Sequence, residues 1–457
     1  MDAVKKQLAL VAQKTETTTT TTPTSTASIS MVRPQLRCTD DDDSIYAPQY
    51  VPIGPYHLSR SSPGVEKEKT RCAGLLHSLS EEHTKAGLTG LMEELELLAR
   101  ACYADGAQHM TAEQFASMLL HDGCYLLHFF LDYVSTGDCA AAAPGDGGEW
   151  PAPVSRNTLV RDAVFLVENQ IPLFVLERLH QRVVGGGANT ISVLDCIAGP
   201  VQELLQKQLL IRRTPRPAPP PPTCAHLLHL VHAYLQPTLV PVPGAEGIPR
   251  RRRRRRLITG RWRRATEYQR YANVRFKARE LVADDAECSS ILDVQLVGGG
   301  STVWVPRLRV DSSTWTILRN LMALEEQEQE QQARRRRPVT AYCVLMSQVA
   351  CTAEDVELLR RAGVVDHFLG DDEQAARGFA GLCRGVVLDV DDIDANYLKP
   401  LWHVLEERCH SRVQRLMGWF RHGHNVGLAA VLLLALVLVA CQVMQTLYAA
   451  AGPGRQH

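Results

Sequence analysis

Apolar positions along this chain recur mostly at helical spacing. Phe115, Met118, Leu119, Leu126, Phe129, Phe130 and Tyr133 fall on one face of a 3.6-residue period and predict a long helix. Asp122 sits on that same face, where an acid reads as a paired or hydrogen-bonded group before it reads as a catalyst. Ser78 to Leu98 predicts a second helix, and Asn169 is placed to cap a third that begins at Pro172. Asp311 is expected to cap the helix carrying Trp315, Leu318, Leu321 and Met322. Thr352 with Asp355 forms a capping-box pattern opening a helix through Val356, Leu359 and Ala362 that stops at Gly363.

One region breaks the helical period. Ile291 to Leu296 and Val303 to Val310 are β-prone runs separated by Val297 to Thr302, which predicts a hairpin. Near the C-terminus, Val426 to about Leu447 is densely apolar, and Gly427 to Cys441 holds no polar or charged residue. At ~1.5 Å per residue such a helix extends about 33 Å, against a bilayer core of ~30 Å. The expected fold is therefore a mainly α, multi-helix globular domain with a small β-hairpin, followed by one C-terminal transmembrane helix.

The flanks of that span set its expected orientation. Arg408, Arg412, Arg415 and Arg421 precede it and Arg455 alone follows, so the positive-inside rule places the bulk of the chain in the cytosol, as a single-pass, tail-anchored protein. Val413, Leu416, Met417 and Phe420 form an apolar stripe suited to the interface. The expected organisation is a disordered Thr/Ser-rich stretch over 1–44 and a helical domain over 45–400 interrupted by a loop at 140–153 and a Pro/Arg-rich linker at 212–264. A basic juxtamembrane segment at 401–425, the membrane helix at 426–451 and a tail at 452–457 complete it.

Composition adds little to this and removes some classes. The 50 basic side chains balance the 50 acidic ones, so no global field draws nucleic acid, which argues against a nucleic-acid partner. The 13 cysteines are scattered without a C-x-x-C pair, which suits reduced thiols better than a disulfide frame or zinc site. Charge concentrates in one run, Arg250, Arg251, Arg252, Arg253, Arg254, Arg255 and Arg256. It is either a solvated loop or a contact for an anionic surface such as lipid or RNA, and no aromatic interleaves it.

Catalytic signatures are missing: there is no P-loop, G-x-G-x-x-G, H-E-x-x-H, G-x-S-x-G or kinase set. His226, His229 and His232 stand at i, i+3 and i+6 among leucines, with Cys224 nearby, and read as an amphipathic helix before they read as metal ligands. The polar cluster with the most to explain is Glu168, Asn169 and Gln170, bracketed by Val164 to Val167 and Ile171 to Leu176. Polar groups entering a core need partners, since each unsatisfied one costs ~1–3 kcal/mol. Together with Asp122 they form the candidate structural or partner-binding cluster; no catalytic, cofactor or metal residue is assigned.

Several ordered motifs carry a family resemblance. Ile53-Gly54-Pro55-Tyr56-His57, His121-Asp122-Gly123-Cys124, Val167-Glu168-Asn169-Gln170-Ile171-Pro172, and Leu318-Arg319-Asn320-Leu321 followed by Glu325 resemble the successive signatures of the plant "domain of unknown function 247" family. Val305-Pro306-Arg307-Leu308 with Asp311, and Asp355 to Gly370, extend the likeness over about residues 45–450. The Ala/Gly insertion, the proline and arginine linker and the approach around Leu401-Trp402 depart from it. The resemblance implies a plant protein of the UPF0481 type, from a grass, membrane-associated, with no established enzymatic activity and no cofactor. Some grass members are tied to pollen and stigma self-incompatibility. The expected function is thus a membrane-anchored, non-enzymatic recognition or adaptor module with an unknown protein partner. The alternative is an uncharacterised enzyme or small-ligand-binding domain using the Asp122/Glu168 region.

Overall fold

The computed structural model describes residues 28–37, 43–79, 85–136, 158–184, 193–208, 210–211, 224–238, 261–281, 289–297, 300–331, 337–388, 396–410 and 426–450. Its first half is helical: α1 (Asp43–Tyr46), α2 (Pro63–Leu79), α3 (Lys85–Arg100), α4 (Ala112–Thr136), α5 (Leu173–Val184), α6 (Val193–Lys207) and α7 (Leu227–Tyr234). In the second half follow α8 (Ala265–Ala272), β1 (Arg275–Arg279), β2 (Gln295–Val297), β3 (Thr302–Pro306), β4 (Leu308–Val310), α9 (Ser312–Gln331), α10 (Pro338–Val349) and α11 (Ala353–Arg361). β5 (Val365–His367), α12 (Asp372–Leu382), α13 (Lys399–His410) and α14 (Val426–Ala450) end the order.

α4 is the axis of the first half, with α2, α3, α5 and α6 packed around it. The predicted face is buried at Phe115, Leu119, Leu126 and Phe130, but so are Cys124, Tyr125 and Leu127, because neighbours cover more than one side. Its start is a reciprocal box: Thr111 Oγ1 accepts the Gln114 N–H at 3.2 Å while Gln114 Oε1 accepts the Thr111 N–H at 3.0 Å. A Cβ at Gly123 would come within 2.4 Å of Leu179 Cδ1, so the missing side chain is what lets α5 lie this close.

α9 joins the halves. It packs against α1, the π-helical turn Arg161–Phe165 and α7 on one side, and against α10 and α12 on the other. Asp311 caps it as expected, accepting from the Ser313 and Thr314 N–H groups at 2.9 and 3.1 Å. The cap of α11 is also as expected, with Thr352 Oγ1 accepting the Asp355 N–H at 3.3 Å and Gly363 following at φ +73.

The hairpin is present but differs in extent. β2 and β3 pair antiparallel with Leu296 opposite Val303, whereas Ile291 and Leu292 lie buried in a turn before β2. The second predicted run divides at Arg307, and β4 leaves to pair in parallel with β5. β1, unpredicted because Arg275, Lys277 and Arg279 give it no apolar run, joins β3 in parallel, making a sheet of order β1-β3-β2.

Three expectations are corrected. The single helix over Ser78 to Leu98 is instead α2 and α3, which end and begin at Leu79 and Lys85. Much of the expected disordered N-terminus falls outside the described residues, yet within 28–37 Ile29, Val32 and Leu36 are 1%, 5% and 3% exposed and belong to the core. The third correction concerns the C-terminus. Among the described residues no helix is long and apolar enough to cross a membrane. The expected transmembrane helix is withdrawn on that finding. With it go the tail-anchored single-pass topology, the membrane partner and the cytosolic placement derived from its flanks. The loop at 140–153, the arginines at 250–256 and the stripe at 413–420 lie outside the described residues.

Candidate functional site

The polar residues singled out in the sequence converge on one buried network. Asp122, Glu168, Asn169 and Gln170 are 1%, 0%, 0% and 1% exposed. Asp122, Asn169 and Glu168 fasten residues 51–57 to α4 and to the turn before α5, while Gln170 bonds within that turn and to α7. Asn169 Oδ1 accepts the Ile53 N–H at 2.7 Å, and its amide donates to Val51 O and Asp162 O, each at 3.0 Å. This overturns its expected role as a helix cap. The N–H of Leu173, at the start of α5, instead donates to Ala225 O at 2.8 Å.

Asp122 Oδ2 accepts the Gly54 N–H at 2.7 Å while Oδ1 meets Lys69 Nζ at 2.7 Å. Lys69 fills a core position of α2, four residues after Val65 and three before Cys72, and also donates to Pro52 O at 2.6 Å. Burial opposes its ammonium, but Asp122 and Glu66 hold its pKa above the usual lysine value. Gly54 needs its φ of +75, and a Cβ there would stand 2.6 Å from the main-chain oxygen of Gln170.

Glu168 gathers three donors from the N-terminal part of the chain: the Val32 N–H at 2.6 Å, His57 Nε2 at 2.9 Å, and the Arg37 guanidinium. Burial would raise this carboxyl, but the bonds from His57, Arg37 and Val32 hold it below the ordinary glutamate value. Gln170 donates to Leu166 O at 2.8 Å and accepts from the Leu228 N–H at 3.3 Å, which ties α7 to the same turn.

Residues not singled out extend the network. Asp162 Oδ2 accepts N–H groups from Gln49, Tyr50 and Val51 at 2.9, 2.6 and 3.1 Å. Its signal was an acid standing directly before the apolar run from Ala163 to Val167. The signal for Lys69 was a cation at a core position of a helix; Arg37 offered none. On α9, Asn320 accepts the Val167 N–H at 2.9 Å and donates to Ile45 O at 3.0 Å, while Arg319 donates to Leu36 O at 2.6 Å. Glu325 accepts from Val339 N, Thr340 N and Thr340 Oγ1 at 2.9, 2.8 and 2.6 Å, and meets His232 Nε2 at 2.9 Å. The motifs at 53–57, 121–124, 167–172 and 318–325, separate in sequence, thus contribute to one set of long-range contacts.

The other histidines of the triplet lie differently: the His226 and His229 rings stack at 4.6 Å. Among the described residues no group of three or more His, Cys, Asp or Glu side chains is placed to hold a metal ion. Chemically, the network's carboxylates are hydrogen-bond acceptors for main chain and cations, enclosed away from solvent. A cleft of about 480 Å³ lies elsewhere, between β1 and α11.

Comparison with known proteins agrees with the motifs. A family model, DUF247, described as plant protein of unknown function, matches residues 29–441. The chain is 25% identical over 406 residues to UPF0481 protein At3g47200 of Arabidopsis thaliana, covering 83% of this chain and 77% of that one. With UPF0481 protein At3g02645, also of Arabidopsis thaliana, the identity is 23% over 504 aligned residues, covering 90% and 88%. Neither comparison supports the expected grass origin. No solved structure matches the chain.

Proposed function

Because this chain belongs to the DUF247 family of plant proteins of unknown function, we propose that it serves as a non-enzymatic protein–protein recognition or adaptor module. The observation that carries the reading is how the buried polar groups are used. Glu168, Asp122 and Asp162, the acids that would be drawn into general acid–base chemistry, each accept two or more bonds, and main-chain N–H groups are among the donors to all three. A general acid or base must reach a proton of its substrate at hydrogen-bond distance, and Glu168 and Asp122 are enclosed at 0% and 1% exposure. The network's work is to hold residues 32–37 and 49–57 on a helical frame, which favours a rigid surface over a reaction vessel.

The test pairs two measurements on the full chain. Thermal denaturation across a broad metabolite panel is expected to show no specific stabilisation, while cross-linking in plant extract is expected to give a discrete, saturable complex with one protein. A metabolite that stabilises the chain, and whose effect vanishes in Glu168→Gln with the fold retained, would refute the reading in favour of a ligand-binding or catalytic site.

A further inference from the structure

β1 ends its sheet: among the described residues β3 pairs with one edge and no strand pairs with the other. The Arg275 N–H donates to Ser301 O and Arg279 O accepts from the Arg307 N–H, each at 2.9 Å, so the odd-numbered residues of β1 direct their peptide groups inward to the sheet. By the two-residue period, Phe276 and Ala278 direct theirs outward. The Ala278 N–H is met there by Ala362 O at 3.2 Å, which shows that this edge takes a carbonyl from outside the sheet. Alongside it runs the cleft of about 480 Å³, with Phe276 on one wall and Leu358 and Ala362 on the other.

Charge divides the cleft. Arg275 and Lys277 are exposed on the strand side, with Lys277 Nζ 5.5 Å from the centre of the Trp304 ring. Glu354 and Glu357 stand on the helix side, and Glu357 is already paired with Arg361 at 2.5 Å. We propose that this cleft binds an extended peptide of a partner protein, which adds to β1 as a further strand and alternates acidic with apolar side chains. The apolar residue facing Phe276 packs against Leu358 and Ala362, and its two neighbours, projecting to the other face, bring carboxylates to Arg275 and Lys277. A peptide slipped by one residue turns its carboxylates toward Glu354 and is rejected, because a one-residue slip exchanges the two faces. Main-chain bonds to Phe276 supply affinity, and the alternating side chains supply register. This inference rests on the recognition reading above and names its site.

The probe is an array of acetylated heptapeptides alternating Glu or Asp with Val, Ile or Phe, incubated with the full chain, followed by anisotropy titration of the strongest binder. Saturable binding is expected, weakened at least tenfold by Lys in place of the acids and by N-methylation at alternate amides in one of the two registers. The double variant Arg275→Glu/Lys277→Glu, at exposed positions, is expected to lose binding by at least the same factor with its urea midpoint unchanged. A silent array, or N-methylated peptides that bind undiminished in both registers, overturns the inference. If the array is silent while a cross-linked partner touches other faces of the chain, the cleft is wrong and the recognition reading stands; if no partner is captured either, both fall.

Discussion

Replacing Glu168 with Gln tests whether the network is what fastens the N-terminal segment to the helical frame. The substitution keeps size and shape but removes the charge, and it turns an amide NH2 toward groups that are themselves donors. Removing one member of a buried ion pair costs about 3–5 kcal/mol. Arg37 keeps 19% of its side-chain exposure, so water recovers part of its loss, whereas His57 keeps 7% and the Val32 N–H is buried. Taking the lower end of the range gives about 3 kcal/mol. Urea unfolding at neutral pH is the assay, read as a fall in midpoint at unchanged slope, with hydrogen exchange to locate the change. Exchange should accelerate first at Ser28 and Ile29, whose N–H groups bond Cys102 O at 2.8 and 2.9 Å, and through 49–57. Acid supplies a second arm. Because the folded pKa of Glu168 lies below its unfolded value, its contribution is full above the ordinary glutamate value of ~4.3 and is lost as pH falls through the folded value. The parent and Glu168→Gln curves should therefore converge in acid. A cost below about 1 kcal/mol, comparable to a surface substitution or a single exposed pair, or a loss spread evenly over the chain, would refute the reasoning.

Lys69→Met leaves Asp122 buried without its cation and is expected to cost about 3–5 kcal/mol, while Lys69→Met/Asp122→Leu should recover part of that in the same urea assay. Coupling near zero between the two sites would contradict the pairing. Gly54→Ala should be at least as damaging as typical backbone strain of ~1–3 kcal/mol, because its φ of +75 is compounded by the approach to Gln170 O; a neutral effect on the thermal midpoint would show that the turn relaxes. Thr352→Ala removes the cap of α11 and should lower stability by ~1 kcal/mol, with Thr352→Ser close to the parent; equal losses in both would exclude capping as the cause.

The helices under α4, α9 and α11 were legible because their evidence is local. A 3.6-residue period, a Thr three residues before an acid and a Gly at the stop all lie within a turn or two of the element they define. The same locality explains the errors. β1 and β5 are short, and β1 is charged at alternate positions; both exist because a neighbour supplies their pairing. Asn169 had the right residue type at the right distance from Pro172 to cap a helix, yet the nearby main chain of Val51 and Ile53 took its amide and oxygen.

The sequence by itself determined that Asp122, Glu168, Asn169 and Gln170 lie in apolar surroundings and need partners, since burying them unpaired is too costly to persist. Which partners they take was decided only in three dimensions. Arg37 reaches Glu168 from 131 positions away, and Leu36 gives its carbonyl to Arg319 from 283 away. No periodicity records such distances, because hydrophobic patterning specifies which face turns inward but not which segment it meets. The C-terminal apolar run carries the same lesson: its helix was legible from residue type alone, whereas the membrane role drawn from its hydropathy did not survive the described structure.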